Sequence, residues 1–154
     1  MNRLRVVMRW LLAAAMVAVG VLHFVTPAPF VKIVPALLPA PLLLVYLSGV
    51  FEIAGGLGLL LARTRRAAGW GLVALYVAVF PANINMAINN IQLGADAIPR
   101  WALWARLPLQ AVLIALALWV SRAEAASSTT AEEDPPQHQR RERHQRHAEQ
   151  PATK

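Results

Sequence analysis

Apolar residues in this chain neither alternate nor recur in narrow stripes; they run on in long blocks, broken by arginine and proline. Four blocks, roughly residues 6–26, 42–62, 67–90 and 101–121, are almost free of charge. A bilayer core takes about 20 apolar residues to cross as a helix. Backbone amides and carbonyls find no partner in lipid, so each block must bond within itself. The pattern predicts an all-α protein: a bundle of four transmembrane helices with short loops over residues 1–122.

The third block breaks the pattern. It reads "GLVALYVAVFPANINMAINN", an oily first half followed by Pro81 and then Asn83, Asn85, Asn89 and Asn90. Pro81 has no amide hydrogen, which frees the carbonyl of Val77 and permits a kink. On a continuing helix, Asn83 and Asn90 share one face, while Asn85 and Asn89 share another roughly opposite. Interhelical amide bonds account for some of this, at about 0.6 kcal/mol each. The alternative is a polar pocket in the outer half of the bundle.

Between the blocks, "TPAPFVKIVPALLPAP" carries five prolines and yet stays apolar. Phe30, Ile33, Val34, Leu37 and Leu38 recur there at helical spacing, and Pro29 and Pro35 suit first turns of short helices. This piece is expected to lie along the membrane surface, either as a connector or as a lid over a cavity. From Ala123 the composition changes to "AEAASSTTAEEDPPQHQRRERHQRHAEQPATK", with no aliphatic side chain larger than alanine. Residues 123–154 are therefore expected to be a disordered tail, with arginines able to touch anionic lipid.

The net charge of +7 suggests nucleic acid until it is located. Residues 1–122 carry +8 and the tail −1. Arg3, Arg5 and Arg9 precede the first span, Arg63, Arg65 and Arg66 separate the second from the third, and Arg122 follows the fourth. The positive-inside rule then puts both termini in the cytoplasm of a bacterial-type inner or plasma membrane, with no nucleic-acid role. The start of the chain also resembles a signal sequence in outline. Its apolar core is too long, and Pro29 follows the candidate cleavage position.

Chemistry is bounded by what is missing. The chain has no cysteine, which excludes thiol nucleophiles, disulfide exchange and iron–sulfur ligation. His23 is the only histidine in a span, so a bis-histidine haem is not expected, and the tail's His138, His144 and His147 make no functional metal site.

Ionisable groups at membrane depth are the best pointers to function. Glu52 lies about ten residues into the second span. A carboxylate there costs about 2.5 to 3.5 kcal/mol to insert, so it needs partners or a proton. Ser48, Glu52 and Gly56 share a face, and Gly55 and Gly58 let a neighbour come close. Side chains lean toward the N-terminus of their own helix. With alternating spans, His23 and Asn83 lean inward toward Glu52, which favours that trio. Arg106 is either the counter-charge of Glu52 or snorkels to the headgroups, and Gln110 lies one turn deeper on its face. Candidate ligand-binding residues are thus His23, Glu52, Asn83, Asn85, Arg106 and Gln110.

The segments "GVLHFVTPAPFVKIVPALLP", "LVYLSGVFEIAGGLGLLL", "LYVAVFPANINMA" and "RLPLQ" resemble the DoxX family of small four-helix membrane proteins, over residues 10 to 120. His23, Glu52, Pro81, Asn83 and Arg106 match its recurrent polar pattern. The resemblance implies a four-span bundle; some relatives are associated with membrane oxidoreductases, and many have no assigned activity. Without cysteine, redox work falls to another subunit or to a quinone. Three functions follow as expectations: an accessory subunit of a membrane redox system with a quinone-like ligand, an assembly protein without ligand, and a proton or solute pathway through Glu52. Catalytic activity is left open. The inner halves of the spans have almost no polar lining, which counts against transport.

Overall fold

The computed structural model describes residues 3–93 and 97–122. The chain forms α1 (Arg3–Val25), α2 (Pro27–Ile33), α3 (Pro41–Leu60), α4 (Arg65–Ile88) and α5 (Arg100–Ser121). All but the short α2 are long and apolar enough to cross a membrane. The protein is an integral membrane four-helix bundle. The expected tail, Asp96 and the tail histidines lie outside the described residues.

The proline-rich connection differs from the sequence expectation. One short helix forms, not two, and it stops at Ile33. Pro35 disfavours helical backbone at the residue before it, and Val34 is extended, with φ −65° and ψ 127°. Leu37 and Leu38 therefore leave the helical face; Leu37 is 94% exposed.

Around the bundle, α1 packs on α3, α3 on α4 and α4 on α5, with α5 returning to α1. Glycines set how closely these helices meet. A Cβ on Gly49 would sit 2.9 Å from Gly20 O, and one on Gly56 would sit 2.8 Å from Ala13 O. Those contacts join α1 to α3. Gly55 and Gly58 instead face Leu72 and Ala68 of α4.

A dry core fills the arginine-rich end, built from Leu12, Met16, Leu59, Leu72, Tyr76 and Val120 among others. A smaller cluster of Met86, Ala87 and Leu103 closes the opposite end of α4 and α5. Large apolar side chains such as Leu11, Val50, Val77 and Val112 are exposed, as lipid-facing positions must be. Trp10, Trp70 and Trp119 lie toward the arginine-rich end, with Trp101 and Trp104 toward the other, as an aromatic belt requires.

The arginines do more than set a charge bias. Arg9 Nε donates to Val120 O at 3.0 Å, and Arg65 Nε donates to Leu59 O at 3.1 Å. Thr64 Oγ1 donates to Gly58 O at 3.0 Å. The last carbonyls of a helix have no partner within it, so these side chains cap α3 and α5. Arg5 adds a cation–π contact, 5.4 Å from the Trp119 ring centre.

Candidate ligand cavity

Between the two apolar clusters the helices part around a cavity of about 640 Å³. Its wall is mainly apolar, with Val19, Leu47, Phe51, Val79, Leu109 and Leu113 among its residues. The polar side chains on it include His23, Ser48, Glu52, Asn83, Arg106 and Gln110. Phe30, Ile33 and Val34 of the α2 connection line it from the end opposite the arginines. That is the lid arrangement rather than a plain connector. Phe51 and Leu109 both line the cavity and are more than half exposed at 60% and 52%. The cavity therefore reaches the bundle's lipid-facing surface.

Helix direction brings His23 and Glu52 together. The imidazole Nδ1 lies 3.1 Å from Glu52 Oε2, with side-chain exposures of 9% and 12%. The same nitrogen lies 2.8 Å from Val19 O, one turn back on α1. A carbonyl and a carboxylate are both acceptors, so Nδ1 carries the hydrogen. The ring hydrogen serves Val19, and Glu52 Oε2 has no hydrogen bond among the described residues although it is buried. The 3.1 Å contact is thus an electrostatic one, and the carboxylate still has acceptor capacity to fill. Phe30 stacks on the far side of the imidazole, ring centres 4.0 Å apart.

A second polar group lies between α4 and α5. Asn83 Nδ2 donates to Gln110 Oε1 at 2.8 Å, and Gln110 Nε2 donates to Tyr76 O. Tyr76 is the residue before Val77, whose carbonyl loses its partner to Pro81, so Gln110 bonds backbone beside the loosened turn. Pro108 lies inside the continuous helix α5 close by, a second proline beside this polar group. The Tyr76 hydroxyl lies 3.1 Å from Met16 Sδ, at the floor of the cavity.

Three readings of the sequence are corrected here. Arg106 is not the counter-charge of Glu52: His23 holds that place, and Arg106 is exposed with Nη1 3.0 Å from Met86 Sδ. α5 starts at the end opposite the arginines, so Arg106 leans toward that end while remaining on the cavity wall. Asn85 does not line the cavity. Its Nδ2 donates to Ile33 O at 2.9 Å, tying the end of α2 to α4, and its Oδ1 accepts from Asn89 at 2.7 Å. Asn85 and Asn89 do share a face, as expected. Asn90 does not share one with Asn83, because α4 ends at Ile88 and Asn90 takes a left-handed φ of 50°. Among the described residues no group of three or more metal-ligating side chains occurs.

The family model described as "Domain of unknown function (DUF8561)" matches residues 12–121. The chain belongs to that family. The DUF8561 match spans the cavity's His23, Glu52, Asn83, Arg106 and Gln110 and stops short of Arg9 and Arg122. No curated protein and no solved structure matches the chain.

Proposed function

We propose that this membrane protein holds a lipid-soluble ligand with a polar head, of the quinone class, in the cavity between α2 and the dry core. The observation that carries the reading is Glu52 Oε2, a buried acceptor on a mainly apolar wall with no hydrogen bond among the described residues. It complements a ligand hydroxyl, such as a quinol carries, and can take its proton. Arg106 offers guanidinium hydrogens to a carbonyl, and its Met86 sulfur is a weak competitor for them. The apolar wall suits a ring and the start of an isoprenoid tail, which would leave between helices into lipid. A role as accessory subunit of a membrane oxidoreductase rests on the DoxX resemblance alone.

Glu52→Gln keeps the side chain's shape but replaces a charged acceptor with a neutral one. A hydrogen bond to a charged group contributes about 1.5 to 3 kcal/mol, so retention of the reduced, quinol form should fall about tenfold or more. The measurement is quinone content, by organic extraction and redox difference absorbance, of gently purified wild type and variant with matched melting temperatures. Equal content in both, or none in the wild type, rules the reading out.

The orientation belongs to the same proposal: both termini inside, cavity toward the outer face, in a bacterial-type inner membrane. The native chain has no cysteine, so single-cysteine labelling is clean. Lys32→Cys should react with an impermeant thiol reagent in intact cells, and Ala62→Cys only after permeabilisation. The reverse pattern inverts the topology.

A further inference from the structure

A second cavity, of about 440 Å³, lies at the arginine-rich end, where α4 begins and α5 finishes. It is lined by Arg66, Trp70, Leu118, Ser121 and Arg122. Gly69 creates the close crossing beneath it: a Cβ there would run into the Ser121 side chain. That approach sets Arg66, on the first turn of α4, beside Arg122, at the C-cap of α5.

These two arginines differ from their neighbours. Arg9 and Arg65 cap helix ends and Arg5 covers Trp119, whereas Arg66 and Arg122 are exposed on this cavity. Among the described residues neither has a carboxylate, carbonyl or ring as partner. The Ser121 hydroxyl donates to Leu118 O at 3.1 Å, so it brings no negative charge to the cavity. Trp70 is 58% exposed and lies one turn into a membrane-crossing helix, the depth at which indole rings meet headgroups. Two forked cations at that depth match a phosphate group, and the apolar edges of Trp70 and Leu118 match the start of acyl chains.

We propose that this cavity binds the phosphate headgroup of an anionic phospholipid from the adjoining leaflet, as a specific site separate from the ligand cavity. Basic recesses between membrane helices commonly hold such headgroups. A diffuse cationic rim would attract anionic lipid without discriminating among its arginines. Here Arg66 and Arg122 bind and Arg63, in the turn before α4 and off the cavity, does not.

The full-length protein in a neutral detergent is titrated with phosphatidylglycerol or phosphatidylcholine and read by native mass spectrometry. One phosphatidylglycerol should bind ahead of the rest, with phosphatidylcholine far weaker. Arg66→Gln/Arg122→Gln should weaken that first event at least tenfold, each single variant partially, and Arg63→Gln less than twofold. Millimolar inorganic phosphate should not displace the lipid. Equal losses for Arg63→Gln and the double variant, no preference for the anionic lipid, or displacement by phosphate each overturn the proposal. The single variants remove no intramolecular bond of the described residues, so a failure to fold in the double leaves them to decide.

Discussion

Replacing His23 with leucine should lower the stability of the bundle by about 3 to 5 kcal/mol. Glu52 then stays buried without the imidazole that lies 3.1 Å from its Oε2. The loss exceeds the stacking of His23 on Phe30, which is a fraction of that size at about 0.5 to 1.5 kcal/mol. The decisive comparison is the double variant. His23→Leu/Glu52→Leu removes the stranded charge as well, and a buried pair exchanged for apolar side chains is often neutral or stabilising. Denaturation in mixed detergent micelles should show the double variant recovering most of what the single one lost. Additive losses mean that the two side chains are not coupled.

Much of this arrangement is legible in the chain. Block lengths and arginine positions define the four helices to within a turn, because hydrocarbon thickness and backbone satisfaction allow no other element. The His23–Glu52 pair follows from the alternation of helix direction, which makes the two side chains lean toward each other. Asn85 is the instructive miss. Nothing in its own helix reveals that it bonds Ile33 O, since that partner depends on where Pro35 ends α2 and how the connection folds back. The sequence leaves Arg106 open between two partners for a related reason: charge pairing is suggested by sequence, but the spacing of α3 and α5, which share no adjacent interface, is not. The caps provided by Arg9 and Arg65 hide behind the positive-inside pattern, which explains their position without naming their partners.

The cavity between α2 and the apolar core is a binding site rather than a packing gap if bulk placed inside it displaces a ligand. Ala82 lies on its wall and carries no polar group of its own. Ala82→Phe fills volume there while leaving His23, Glu52, Asn83 and Arg106 in place. Ala74→Phe adds the same bulk at an exposed position of α4 that does not line the cavity. Native mass spectrometry of gently extracted protein compares the three. A ligand site gives a small lipid-soluble adduct on the wild type and on Ala74→Phe, and the bare chain for Ala82→Phe. A bare wild type, or the same adduct on all three, contradicts it.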